Sequence, residues 1–314
     1  MRFVTPSAWA GVGFSGVGLM TRFSTWGWQP AIVLASFSPY LMFLALPALV
    51  LFVLRRRWVG LGVAVVLTLT LVGLQAPRFT GSSVRSGGPR MSVLQANLGV
   101  GHADPVRLVD RVRTENIDLL TTDELTPEAL AGLTAAGLDQ LLPHRVVAPF
   151  AAGGAGTGIW SRYPLTDQQH HEHFASELLS AQLAVGSTSI TVFAVHLQPP
   201  WPYPPAGWRR EIGRLRSLIR GVAGPVLVSG DFNSGLDNAQ FRSLLGSGVR
   251  DAGEQSGAGA LLSYPTDHWP LPPLLPLDHV LVRGVVAASA RLVDLPGSDH
   301  RALLVNIAFS APDE

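Results

Sequence analysis

The chain contains no cysteine and no lysine. Without cysteine there are no disulfides and no thiolate metal sites, so a bound metal must take oxygen or imidazole donors. Without lysine, all 23 basic residues are arginine. This is a compositional bias, and it rules out a phosphate-binding loop of the Gly-rich type that ends in lysine. Acidic residues are absent from the first 89 positions, which hold seven Arg and no Asp or Glu. The rest of the chain holds 16 Arg against all 22 acids, a net charge of −6. Such a domain lacks the positive footprint needed for tight binding to duplex nucleic acid. Charge is scarce overall, at 14% of residues against 47% hydrophobic. That balance is expected when part of a chain lies in a bilayer.

Long apolar runs are plentiful. Ala31 to Leu54 is 24 residues without a charge and Trp58 to Pro77 is 20. Each reaches the length of about 20 residues that a helix needs to cross the hydrocarbon. Arg55, Arg56 and Arg57 stand between them, room only for a tight turn. Phe3 to Thr21 is a third uncharged stretch, rich in Gly and Ser. It reads as a first span, an interfacial segment or a signal-like region. The expectation is an anchor over residues 1–77 with two or three transmembrane helices. Pro39 and Pro47 would kink the first long run, which membrane helices tolerate. The positive-inside rule puts the triple arginine in the cytoplasm and everything after Gln75 outside. Trp26 and Trp28 would sit at the outer interface. The expected localisation is a multi-pass cell-membrane protein with an extracytoplasmic soluble part. Residues 78–90 read as a flexible linker, and 91–314 as the soluble domain.

In that domain strand and helix signals alternate. Strands are expected to end at Asn97, over 118–122, 158–161, 178–184, 189–195 and 225–229. Helices are expected over 105–115, 126–138 and 208–222. Alternation of this kind gives an α/β class. Periodicity alone does not separate a doubly wound sheet from other α/β arrangements.

Polar clusters stand at the ends of the apolar runs, and strand ends are where a scaffold presents side chains rigidly. They are Asn97, Glu124, His196, Ser-Gly-Asp231-Phe-Asn233, Leu-Asp278-His279 and Gly-Ser-Asp299-His300. Amides, carboxylates and imidazoles in this mixture suit a hard divalent cation and a phosphate ester. His279 should face away from Asp278 on a strand and is read as structural.

In kind and order the clusters resemble those of the endonuclease/exonuclease/phosphatase superfamily, over about residues 91–309. The resemblance implies an α/β fold in which two β-sheets pack as a sandwich flanked by helices. It also implies a metal-dependent phosphoester hydrolase, a phosphodiesterase or phosphatase. Mg2+ or Mn2+ would be held by Glu124, with Asp299 and Asn97 nearby. Asp231 would hold or deprotonate the attacking water. Asn233 and His196 would hold the phosphate. His300, oriented by Asp278, would act either as the general base or as an acid that stabilises the phosphate. One departure stands out: the family usually carries Gln before the metal-binding Glu, and this chain has Asp123.

Arg162, after the Gly-rich stretch 153–158, is a candidate substrate contact. Two Pro-rich loops adjoin the clusters, one following His196 with Trp201 and Tyr203, the other leading into Asp278 with Trp269. If exposed, they form an apolar rim suited to membrane lipids. The leading expectation is a membrane-anchored hydrolase of a lipid or lipid-linked phosphoester. The alternatives are an extracytoplasmic nuclease and a catalytically silent binding protein.

Overall fold

The computed structural model describes residues 4–81, 89–151, 153–186, 188–267 and 270–309. The apolar N-terminal part is helical: α1 (Val4–Phe23), α2 (Gln29–Ser36), α3 (Ser38–Phe43), α4 (Ala45–Leu54), α5 (Trp58–Gln75) and α6 (Pro77–Thr80). The second part runs β1 (Arg90–Asn97), α7 (Pro105–Thr114), β2 (Leu119–Asp123), α8 (Pro127–Ala135), α9 (Leu138–Leu141), β3 (His144–Ala148), β4 (Thr157–Ser161), β5 (Leu165–His171), β6 (Leu178–Val185) and β7 (Thr188–His196). It continues through α10 (Pro205–Gly221), β8 (Val226–Asp231), α11 (Ala239–Leu245), β9 (Arg250–Asp251), α12 (Ala252–Ser256), β10 (Asp278–Arg283), β11 (Val285–Val293) and β12 (Ala302–Phe309).

Two six-stranded sheets result, in the orders β11-β12-β1-β2-β4-β3 and β5-β6-β7-β8-β10-β9. Each is mixed: β1 pairs parallel with β2, and β7 parallel with β8. Their inner faces meet in an apolar core that includes Val93, Leu119 and Ile159 from one sheet and Val192, Leu227 and Val280 from the other. On the outer face of the first sheet, Leu94, Leu120 and Trp160 pack on Leu108, Val112 and Leu133 from α7 and α8. On the outer face of the second, Phe193 and Val228 pack on Trp208, Ile212 and Ile219 of α10. The expected helix-flanked two-sheet sandwich is therefore present, with strict inside–outside alternation along the central strands.

The apolar run 31–54 is not one rod. The helices Gln29–Ser36 and Ser38–Leu54 meet at 63°. The break falls at Phe37, just before Pro39, whose ring and missing N–H disfavour a continuous helix. Among the described residues one helix, Trp58–Gln75, is long and apolar enough to cross a membrane, and the bent pair would be a second if counted as one span. α1 packs on both α3 and α4, and α4 packs on α5. The triple arginine lies at the turn between α4 and α5.

The opposite end of this bundle is fastened to the sandwich. Arg22 and Arg78 both pair with Asp237, the latter at 2.8 Å. Asn238 Nδ2 donates to Ile32 O at 3.0 Å, and Ser36 Oγ donates to Asn238 Oδ1 at 3.1 Å. Tyr40 donates to Leu274 O at 2.7 Å. Ile32 itself joins the apolar cluster beneath α10. Both ends of the linker expected over 78–90 are ordered. Residues 77–80 are helical, Arg78 is buried, and Arg90 already belongs to β1. Residues 82–88 lie outside those described.

Candidate active site

The alternation that builds the core also builds the site. On β1, Met91 and Val93 face the opposite sheet, so Gln95 and Asn97 face it too. The same parity carries Leu119 to Thr121 and Asp123, Leu227 to Ser229 and Asp231, and Val192 to His196. Thr121 Oγ1 and Ser229 Oγ meet across the sheets at 2.6 Å, where the apolar core ends. Beyond them the inward side chains are amides, acids and imidazoles. Register aligns these ends: Asn97 pairs with Asp123, His196 with Asp231, and Asp231 with Asp278.

The sequence places Asp278 and His300 after apolar runs, and the structure corrects this. Asp278 begins β10, and Asp299 and His300 lie in the loop before β12. β10 runs antiparallel to β8, and β12 antiparallel to β1. The starts of these strands therefore lie beside the ends of their neighbours. His279, one residue on, faces outward as expected. Its Nδ1 lies 2.7 Å from Asp251 Oδ2, and its ring packs on Phe241.

The local backbone serves the site. Gly230 has φ +155°, and a Cβ there would lie 1.7 Å from Val195 O. Glycine alone permits this close approach of β8 to β7. Glu124 and Asn233 adopt φ of +57° and +51°. Left-handed geometry at non-glycine residues is costly and concentrates at functional sites. A Cβ on Gly154 would come within 2.9 Å of Glu124 Cδ. The Gly-rich loop thus lies directly against this acid.

Four groups have fixed orientations. His300 Nδ1 donates to Asp278 Oδ2 at 2.7 Å, leaving Nε2 3.7 Å from Asp231 Oδ2. His196 Nδ1 donates to Gly154 O at 2.8 Å. Its Nε2 lies 3.9 Å from both Glu124 Oε1 and Asp231 Oδ2. Asn97 Nδ2 bridges Glu124 Oε1 at 3.2 Å and Asp231 Oδ2 at 3.1 Å, while its oxygen accepts from Gly99 N–H. In this arrangement Asn97 spaces the two acids, and offering its oxygen to a cation would require the amide to turn over. Asn233 N–H closes a turn onto Asp231 Oδ1 at 2.7 Å. Its Nδ2 donates to Leu197 O, leaving a second N–H for a ligand.

Electrostatics are dominated by crowded acids. Burial and the charge of Asp278 push Asp231 up to about 6, against the pull of His300 and His196. Burial and the charge of Asp231 hold Asp123 well above the ordinary carboxylate range. Burial, then the nearby Glu124 charge, raises Asp299, although His300 opposes it. Burial would lower His300, but Asp278, with Asp231 and Asp299, raises it to about 10. Burial would raise Asp278, yet His300 and the hydrogen bonds of Ser263 and Gln95 hold it below its ordinary value.

Such a wall of hard oxygen donors, with acids raising one another, fits a divalent cation. Asp231, Asp278 and His300 bring ligand atoms within 4.8 Å of one another. Both Asp278 oxygens are already engaged, by His300 Nδ1 and by Gln95 Nε2 at 2.8 Å. That trio is better suited to holding a proton than a cation. Glu124 and Asp299, both facing the cleft, are the better cation donors.

The cleft opens into a cavity of about 1200 Å3. Its lining joins Glu124, His196, Asp231, Asn233, Asp299 and His300 to apolar residues of α2 and of the first Pro-rich loop, Trp201 and Tyr203 among them. Both aromatic rings are exposed. Trp269 lies outside the described residues. Arg162 is elsewhere. It follows Ser161, which pairs with Leu119 at the far end of β4, whereas Thr157 pairs with Asp123 at the site end. Its guanidinium bonds Asp118 at 3.0 Å and Ile117 O at 2.9 Å.

Two site residues escaped the sequence. Gln95 Nε2 bridges Asp278 and Asp123, the latter at 2.9 Å, and the parity of β1 was the signal that could have found it. The Tyr264 ring lies 4.8 Å from His300, from a loop with no sequence pattern to mark it. Asp123 accepts from Gln95 and, at 2.9 Å, from Asp231 N–H.

This architecture is shared with known structures. D. rerio TDP2 humanized by 14 mutations superposes with a TM-score of 0.59 at 18% identity, covering 69% of this chain and 98% of that one. An endonuclease/exonuclease/phosphatase family protein of Leptotrichia buccalis gives 0.57 at 12% identity, covering 70% of this chain and all of the other. At these identities the likeness is one of fold. A curated relative from Vibrio parahaemolyticus, UPF0294 protein VP2298, is 27% identical over 100 residues, which span 32% of this chain and about a third of that protein. Residues 94–300 match the Endonuclease/Exonuclease/phosphatase family profile, a stretch that takes in every inward-facing acid and imidazole of the cleft. The chain therefore belongs to the endonuclease/exonuclease/phosphatase family, whose members are metal-dependent hydrolases of phosphoester bonds.

Proposed function

We propose that the protein is a membrane-anchored, Mg2+- or Mn2+-dependent hydrolase acting outside the cytoplasm on a lipid or lipid-linked phosphoester. The observation that carries this reading is the exposure of the N-terminal helices. Only 17% of α5 is buried, and Val59, Val66, Leu69 and Val72 face outward. Phe14 on α1 and Val50 and Val53 on α4 are exposed as well. An apolar surface of this extent supports a lipid environment. The triple arginine lies at the end of the bundle away from the sandwich, and by the positive-inside rule this supports a catalytic part on the other side.

A divalent cation on Glu124 and Asp299 would polarise the phosphoryl oxygen and neutralise charge on the leaving oxygen. Asp231 orients the attacking water and accepts its proton. His300, kept protonated by Asp278, presents Nε2–H to a phosphoryl oxygen. His196, its Nδ1–H fixed on Gly154 O, steadies the phosphate with Asn233 as charge develops.

A second reading, an extracytoplasmic nuclease, draws on one comparison. D. rerio TDP2 has been solved with a single-strand DNA product, at a TM-score of 0.57 and 17% identity to this chain. The −6 charge of residues 90–314 disfavours it for duplex substrates.

A substrate panel on the full-length protein with Mg2+ decides between them: bilayer phospholipids, sphingomyelin, prenyl phosphates, plasmid DNA and RNA. Turnover of a bilayer phosphoester is expected. Efficient DNA degradation with every lipid left intact would put the nuclease in its place. For topology, a reporter fused after Glu314 should read as extracytoplasmic and one beside Arg56 as cytoplasmic. The opposite pair would reverse the orientation.

A further inference from the structure

α2 is an unusual wall for a polar cleft. Ala31, Ile32 and Ala35 are buried, Ile32 within the core of the catalytic sandwich. The other side of the helix carries Pro30, Val33 and Leu34, and just beyond its end Phe37, all lining the catalytic cavity. These positions, spaced by three and four, form one helical stripe. A helix at a water-filled surface normally carries polar residues on its open face, yet from Pro30 to Ala35 there is none.

The stripe is held rigidly. Gln29 Nε2 donates to Pro200 O and Tyr203 O, both at 2.9 Å, tying α2 to the Pro-rich loop that follows the His196 strand. Asn238 and Ser36 fix its middle and end. Apolar residues of α2 and of the loop therefore line one cavity together with the acids and imidazoles. The cavity exceeds the roughly 300–1,000 Å3 usual for small-molecule sites. At Phe37, the last cavity-lining residue of this segment, the chain turns by 63° into apolar helices that carry no charge before Arg55.

We infer that α2 is a specificity element: Val33, Leu34 and Phe37 bind a long alkyl or prenyl chain joined to the reacting phosphate. The inference rests on the lipid-phosphoester reading above and names the surface that selects the chain. The phosphate sits at His196, Asp231, Asn233 and His300, and the chain runs from it between α2 and the Pro-rich loop. Its path leads to the bilayer, so the substrate need not leave the membrane entirely to react.

Two diesters with one leaving group test this, p-nitrophenyl hexadecyl phosphate and p-nitrophenyl ethyl phosphate, with the full chain in nanodiscs. The wild-type protein should prefer the hexadecyl ester. Leu34→Ser with Phe37→Ser should lower kcat/KM for that ester about tenfold, mostly through KM, as expected for lost apolar contact, and leave the ethyl ester nearly unchanged. A second readout does not need turnover. The chain has no cysteine, so Val33→Cys accepts a single environment-sensitive fluorophore. Its emission should shift blue with hexadecyl phosphate and not with ethyl phosphate. Equal losses on both esters, or a preference untouched by the substitutions, would overturn the role of α2 while leaving the lipid reading in place. A wild-type protein without chain-length preference would sink the lipid reading, and this inference with it.

Discussion

His300 is locked to Asp278: Nδ1 donates to Oδ2 at 2.7 Å, and the other Asp278 oxygen accepts from Gln95 at 2.8 Å. The ring thus has one direction, with Nε2 turned to Asp231. A histidine that must present a proton to substrate needs such an orienting partner.

Asp278→Asn should therefore reduce kcat by about a hundredfold to ten-thousandfold, the scale of losing an oriented acid–base group. The double variant Asp278→Asn/His300→Ala should be no slower than His300→Ala alone, because the two act as a unit. Losses that multiply in steady-state assays would show separate roles.

Activity should vanish in excess chelator and return with Mg2+ or Mn2+. Glu124→Ala should weaken metal binding in calorimetric titration, with the circular dichroism spectrum preserved. Asp231→Ala should lower turnover by orders of magnitude and remain folded. Full activity in EDTA would contradict a metal-dependent site.

Asp123 should give a pH signature in the metal-free protein. Unfolded, its carboxyl ionises near 3.8, whereas folded it stays protonated to well above that value. Stability linked to this group is full below 3.8, falls as pH rises toward the folded value, and stays low beyond it. Asp123→Asn keeps an acceptor for Gln95 and Asp231 N–H and cannot ionise. Its melting temperature should exceed that of the parent at neutral pH, and the gap should close in acid. Parallel melting curves across the range would refute a neutral Asp123.

His279→Ala should cost stability and spare chemistry. It leaves Asp251 buried without its partner, a loss of about 3–5 kcal/mol. Asp251 is otherwise held below its ordinary value, since the charge and hydrogen bond of His279 outweigh burial. That stabilisation is present above pH 3.8 and lost as pH falls through the lowered value. Denaturant melts should show the deficit at neutral pH, with kcat on a soluble phosphodiester little changed. A collapse of kcat in the folded variant would move His279 into the reaction.

How much of this was legible in the sequence depends on range. Asn97, His196 and Asp231 were readable because each ends an apolar strand whose parity points inward. Asp278 and His300 were legible as polar clusters, but the sequence put them at the wrong end of a strand, since β10 and β12 run antiparallel to their neighbours and begin at the site. Gln95 looked like a strand residue because its partners, Asp123 and Asp278, come from two other strands. Arg162 was misjudged because proximity to a Gly-rich loop says nothing about which end of β4 it occupies. The docking of α2 was invisible, for Ile32 meets Asn238 some 200 residues later in the chain.

Arg22 and Arg78 bracket nearly the whole apolar stretch and grip one carboxylate, Asp237, which is 3% exposed. That acid stands six residues beyond the end of β8, in the loop that carries Asn233. A catalytic domain severed before β1 would keep Asp237 while losing both cations, and it would leave a bare notch where Ile32 had been. The helices are thus a keystone rather than a tether, and cutting them away would deform the cleft that the cut was meant to set free.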